Sequence, residues 1–180
     1  MIDLTAPLDS YGFEPGITHM DLYYKDRRCP DTSLITDCVA IDLINRPAGI
    51  GPDAVPELAQ VERGNSVILK TGWEKYRGTP EYDNSPSASW DLVRALVAKG
   101  VALVLVDSPG VCGGARGPEH NRMDQYLADN EAYAVENLVN VHQLPVHKFR
   151  LYCFPIQLSA MNTAPCRVVA DILKARSAAY

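Results

Sequence analysis

The chain has 180 residues, 47% of them hydrophobic and 22% charged, with a formal net charge of −5. That is enough apolar material for the core of one globular domain, here read as a single unit over residues 1–180. Lysine and arginine form no block, which argues against a nucleic-acid backbone as partner, and the longest apolar runs, such as residues 101–106, are too short to cross a bilayer.

Residues 2–4 suit a short opening strand. Residues 38–44 are rich in β-branched side chains and read as a strand. Residues 45–56, with three prolines and two glycines, read as a loop. Residues 65–70 are a second strand, stopped by Thr71-Gly72, and residues 78–86 are a polar, turn-rich surface excursion. The clearest helix covers residues 87–99. Ser87 or Ser89 caps it, Trp90, Val93, Leu96 and Val97 share one face at a period of 3.6, and Gly100 ends it. The unbroken apolar run at residues 101–106 predicts a fully buried strand that leaves through Asp107-Ser-Pro-Gly. Residues 110–117 are glycine-rich but lack the Lys-Ser/Thr ending of a phosphate-binding loop, and read as a flexible flap. Residues 120–130 suit a second helix with Met123, Tyr126 and Leu127 on one face. Residues 133–141 end in a strand or a turn of helix. Residues 149–158 read as a strand, and residues 166–173 form another late element. The alternation predicts an α/β domain with a mixed sheet.

Five cysteines are dispersed without a C-x-x-C pair, which fits neither a disulfide framework nor a zinc knuckle. Cys38, Cys153 and Cys166 fall in apolar runs and are expected as buried thiols in a reducing compartment. Met1-Ile2-Asp3-Leu4 has no basic or apolar leader pattern, so a cytoplasmic protein with a small-molecule substrate is expected. Four histidines are present. In Gly16-Ile-Thr-His-Met-Asp21 an extended backbone would turn His19 and Asp21 to one side, where an imidazole and a carboxylate can grip one divalent ion. His142 and His147 flank Leu144-Pro145 and suit a surface turn. Trp73 and Trp90 suit the core, although Trp73 follows a strand-end glycine and could instead wall a pocket for a flat substrate. Asp26-Arg-Arg28 is a solvated charged loop or, alternatively, a clamp in which Arg27 takes a substrate carboxylate. Cys112 is a weak candidate nucleophile.

Pro15-Gly-Ile-Thr-His-Met-Asp-Leu-Tyr-Tyr-Lys25 resembles the motif H-x-G-T-H-x-D-x-P-x-H of the cyclase family, which includes kynurenine formamidases and isatin hydrolases. Thr18, His19 and Asp21 match. Pro15 and Lys25 replace the outer histidines, Ile17 the glycine and Tyr23 the proline. The opening Ile2-Asp-Leu-Thr, Ala40-Ile-Asp-Leu43, the Thr71-Gly-Trp73 strand end, Asp107-Ser-Pro109, Glu136-Asn-Leu-Val-Asn140, Gln143-Leu-Pro145 and Pro165-Cys-Arg167 follow the same family, so the resemblance spans residues 2–171. It implies a mixed-sheet swivelling β/β/α domain, assembled as a homodimer or homotetramer. The implied activity is a metal-dependent hydrolase of amide, lactam or formamide C–N bonds, because a bound zinc lowers the pKa of water from 15.7 to about 7 and polarises a carbonyl.

The resemblance further implies a catalytic set of His19, Asp21, Lys25, His120 and Glu136, with one divalent ion (zinc or manganese) on His19, Asp21 and His120. A metal-free site remains open. Tyr23, Tyr24, Arg27 and Trp73 are the substrate-binding candidates. Loss of the two outer histidines leaves three outcomes open: a single surviving metal, a Lys25 ammonium in a metal's place stabilising an oxyanion, or a silent binding or assembly subunit. A metal-independent lyase or cyclase also fits. His120 and Glu136 are sixteen residues apart, wider than the family spacing of about a dozen, with Glu131 as the fallback.

Overall fold

The computed structural model describes residues 1–7, 16–23, 28, 30, 34–47, 49–114, 117–145, 147–156 and 162–172. The strands are β1 (Ile2–Asp3), β2 (His19–Asp21), β3 (Ile35–Asp42), β4 (Ser66–Lys70), β5 (Leu103–Val106), β6 (Tyr133–Glu136), β7 (Phe149–Pro155) and β8 (Thr163–Asp171), and the α-helices are α1 (Trp90–Ala98) and α2 (Pro118–Asp129). Hydrogen bonding runs β8-β2-β6-β5-β4-β3-β7 and returns to β8, closing a barrel, while β1 pairs with β8 beyond the end of β2. Strands β3 to β6 are mutually parallel and the remaining pairs antiparallel. The fold is the expected mixed-sheet α/β domain.

The period-2 alternation of strands divides the core in two. Cys38, Ala40, Ile68, Leu103, Leu105 and Val135 point into the barrel with Met20, Leu151 and Val168. Val39, Ile41, Val67, Leu69, Val104, Val106 and Ala134 point outward beneath α1 and α2, which contribute Leu92, Val93, Leu96, Met123 and Leu127. Strands β4 and β5 are therefore buried on both faces, and this is why residues 67–69 and Leu103–Val106 are continuously apolar rather than alternating.

Several elements differ from the sequence reading. Helix α1 starts at Trp90 because Ser89, not Ser87, accepts the Leu92 N–H at 3.1 Å. Trp90 is only half-buried: its ring meets Tyr126 edge-on and its indole N–H donates to Glu119, so it seals the α1–α2 seam instead of filling the core. Residues 133–141 divide into β6, a tight turn, and a short 3-10 helix at Val141–Gln143. The polar stretch at 78–86 is not merely a surface excursion, since the short helix Pro80–Asn84 buries Tyr82 to 3% exposure. The glycines of the expected flap are packed: a Cβ at Gly110 would meet the His120 ring, and one at Gly113 the Ser85 carbonyl. Cys38, Cys153 and Cys166 are buried free thiols and Cys112 is a partly exposed one; Cys29 lies outside the described residues.

Candidate functional site

The antiparallel register of β2 on β6 sets His19 directly opposite Glu136. Met20 takes the inward position, so His19 and Asp21 face outward, toward α2. Pro118 at the first helical position starts α2, which carries His120 and Asp124 one turn apart on the same face. Met123 and Leu127 hold that helix against the barrel. His120 Nε2 lies 3.0 Å from Asp124 Oδ2, and His19 Nε2 lies 3.4 Å from Glu136 Oε2. One potential ligand atom from each of His120, Asp124 and Glu136 falls within 4.8 Å of the others, a group that could hold a metal ion.

The electrostatics follow from three carboxylates, Asp21, Asp124 and Glu136, in a poorly solvated space. Burial pushes the Asp21 carboxyl up to about 6; the negative charges of Asp124 and Glu136 add to this, while the Tyr23 N–H and His19 oppose it. The hydrogen bond that His120 donates to Asp124 raises its pKa to about 9, reinforced by the charges of Asp124 and Glu136 against the effect of burial. For His19 burial is the largest influence and disfavours the charged ring. The hydrogen bond and charge of Glu136, the Ile17 carbonyl and Asp21 together outweigh it, so the pKa is raised.

Whether this donor set suits a metal can be tested on its unsatisfied atoms. Among the described residues, His120 Nδ1, Asp124 Oδ1 and Glu136 Oε1 are buried without a hydrogen-bond partner. The Gly113 carbonyl lies near the His120 ring without an aligned bond to Nδ1. Two orphaned carboxylate oxygens facing one small space cost free energy that a cation would recover. His19 adds to this: its Nδ1 lies 3.0 Å from the Ile17 carbonyl, and a proton donated there leaves a lone pair on Nε2 facing the Glu136 carboxylate. A proton or a cation between those two acceptors resolves the repulsion. The residues present fit a divalent ion.

A second layer fixes these groups. Asn137, in a left-handed backbone conformation (φ 61°) and 2% exposed, takes the Thr18 hydroxyl on its carbonyl and the Tyr82 hydroxyl on its side-chain oxygen, and sets Nδ2 3.3 Å from His19 Nδ1. The buried Asp107 carboxylate accepts from the Thr71, Gly72 and Trp73 N–H groups and from the Thr71 hydroxyl. That clasp shapes the Thr71-Gly-Trp73 turn, where Gly72 has a φ of 73°. The Trp73 indole N–H donates to the Glu81 and Tyr82 carbonyls. Trp73 is thus neither core nor in direct contact with the cluster among the described residues; it pins the segment that carries Tyr82.

Of the predicted site residues, His19, Asp21, His120 and Glu136 come together. Tyr23 is 57% exposed, although its backbone N–H orients Asp21 at 2.8 Å. Pro15, Tyr24, Lys25 and Arg27 lie outside the described residues. Glu131 sits exposed in the turn after α2, away from the cluster. His142 and His147 are on the surface, the former bonded to Glu74. The sequence reading missed Asp124. It stands twelve residues before Glu136, the spacing that His120 failed to meet, so it was findable by counting back from Glu136 without requiring a histidine.

The cyclase family model, described as "Putative cyclase", matches residues 2–111, more than half the chain, and the chain belongs to that family. Among solved structures, isatin hydrolase A from Labrenzia aggregata, bound to benzyl benzoate, superposes with a TM-score of 0.77 at 19% identity, covering 94% of this chain and 92% of that one. A potential metal-dependent hydrolase with cyclase activity gives 0.71 at 20% identity over 94% and 96% of the two chains. Isatin hydrolase A from Ralstonia solanacearum gives 0.72 at 16% identity over 94% and 90%. These likenesses establish the fold. No curated protein matches the sequence.

Proposed function

We propose that the protein is a metal-dependent hydrolase of the cyclase family that cleaves an amide, lactam or formamide C–N bond in a small carbonyl compound. The observation that carries this reading is the trio His120, Asp124 and Glu136, each with a buried unpartnered atom and with ligand atoms within 4.8 Å of one another. These residues would hold one divalent ion, zinc or manganese, with His19 beside it. Such an ion supplies Lewis acidity toward a carbonyl oxygen and makes water a usable nucleophile near neutral pH. Asp21, oriented by the Tyr23 N–H, is placed to take the proton of the attacking water. His19, linked to Glu136, is placed to return a proton to the leaving nitrogen as the C–N bond breaks. In the absence of an ion, a Lys25 ammonium in its place would stabilise the developing oxyanion instead. The fold similarity to proteins named as isatin hydrolases supports the hydrolase reading.

A second reading is favoured by one observation: each histidine already pairs with a carboxylate, His19 with Glu136 and His120 with Asp124. Such a self-neutralised cluster would suit a metal-free lyase or cyclase, or a silent subunit. One experiment separates the two. Metal content is measured on protein purified without chelator, together with hydrolysis of isatin and of an N-formyl arylamine. The hydrolase reading expects about one equivalent of zinc or manganese, lost with activity in Asp124→Asn and kept in Glu131→Gln. Failure to bind either ion at micromolar concentration would sink it.

A further inference from the structure

We propose that Arg77 forms an anion subsite beside the cluster and takes the carboxylate of the substrate, so that the compound acted on is a carbonyl compound that also carries a carboxylate. This rests on the reading of the cluster as the reaction site. Arg77 follows the short helix Trp73–Tyr76. Its guanidinium reaches across to the segment just before β2, where Nη2 lies 2.7 Å from the point a Cβ on residue 16 would occupy, so a side chain there would displace the guanidinium. Gly16 adjoins Ile17, whose carbonyl meets His19 Nδ1. On its other side the guanidinium faces the Tyr82 phenol, whose hydroxyl donates to Asn137, and Asn137 in turn touches His19. Arg77 is therefore tied to His19 by two short routes, one through backbone and one through side chains.

Among the described residues the guanidinium meets the Tyr82 phenol but no carboxylate, whereas five other arginines reach one. Arg46, Arg94, Arg122, Arg150 and Arg167 each reach a carboxylate, at 2.6–3.4 Å. Among the described residues Arg77 makes no ion pair, and its Nη1 is buried without a hydrogen-bond acceptor. A planar fork of N–H donors matches a carboxylate two-for-two, and a partly buried guanidinium with an unpartnered N–H favours an anion beside it. Tyr82 stays a neutral phenol, because burial pushes its pKa above the usual tyrosine range, so it offers no competing negative charge. The arginine suggested from sequence for this purpose was Arg27; Arg77 supplies the same chemistry next to His19.

Calorimetric titration of the full chain with benzoate, and with benzamide as its uncharged counterpart, tests the proposal. Wild type should bind benzoate saturably and benzamide at least about ten-fold more weakly. Arg77→Gln should lose that preference while leaving benzamide unchanged, and Arg77→Lys should fall between, since an ammonium keeps the charge and lacks the fork. Equal benzoate affinity in wild type and Arg77→Gln would overturn the subsite, as would equal binding of the two probes by wild type. Should Arg77→Gln fail to fold, a wild-type affinity in Arg77→Lys overturns the fork and a weakened one supports it. A manganese titration of the same proteins separates this proposal from the functional reading. Benzoate binding lost in Asp124→Asn but kept in Arg77→Gln would move the carboxylate to the ion and remove the subsite. Loss in Arg77→Gln from a protein that binds no manganese would keep the subsite and remove the hydrolase.

Discussion

His120 and Asp124 stand one turn apart on α2, and their 3.0 Å contact governs how the cluster responds to pH. The His120 ring titrates at about 9 in the folded chain against 6.5 for a free histidine. Below 6.5 the ring is charged whether the chain is folded or not, and the stabilisation by Asp124 is fully present. Between 6.5 and 9 the unfolded chain gives up its proton while the folded one keeps it, so stability falls as pH rises through that window. Asp21 acts in the same direction lower down: its carboxyl, pushed from 3.8 to about 6, costs stability as pH rises across that interval. Chelator-treated protein should therefore melt at a lower temperature at pH 9.5 than at pH 7, and His120→Gln should flatten the difference; circular dichroism melts provide the check. Because a metal must displace the His120 proton, its apparent affinity should rise by about tenfold per pH unit between 6.5 and 9. His120 and Glu136 were legible in the sequence through the family pattern. Asp124 was not, because a carboxylate stands where the pattern leads one to look for a histidine.

At the scale of elements, the site depends on a turn that the sequence presents as loose. Residues 110–114 fold back so that Gly110 packs against the His120 ring. Its added Cβ would come 2.6 Å from Cε1 and 2.8 Å from the Gly113 carbonyl, and the backbone atom cannot move aside cheaply. Gly110→Ala should cost about 1–3 kcal/mol and weaken metal uptake through displacement of His120, whereas Gly117→Ala, where a Cβ meets nothing, should leave metal binding intact. Urea denaturation and a manganese titration read the two effects separately. Helix α1 and strands β4 and β5 were legible, since capping, periodicity and apolar runs are local signals. The burial of Tyr82 was not, because it depends on Asn137, fifty-five residues away in the chain and held in a left-handed turn after β6.

Taken whole, the molecule is a closed barrel with helices over its parallel side, and closure sets both its core and its outer surface. On the antiparallel side, β3 and β7 carry Ile35, Phe154 and, just beyond β7, Ile156 at 51%, 44% and 60% exposure, and the Tyr152 and Phe154 rings lie 6.3 Å apart. If the homodimer or homotetramer expected from the family resemblance uses this patch, light scattering should return a mass of two or four chains, and Phe154→Glu should lower it. A monomer mass for the wild type would remove that expectation. Among the described residues, no helix is long and apolar enough to cross a membrane. The sequence by itself determined the class of fold, the buried strands and the first helix, and it offered His19, Asp21, His120 and Glu136 as one candidate set, because each is written in local pattern or family resemblance. Only the tertiary structure decided that His19 faces Glu136, that Asp124 completes a trio able to hold a metal and that Arg77 makes no ion pair among the described residues. Those facts depend on strand register, helix docking and desolvation, which join residues far apart in the chain.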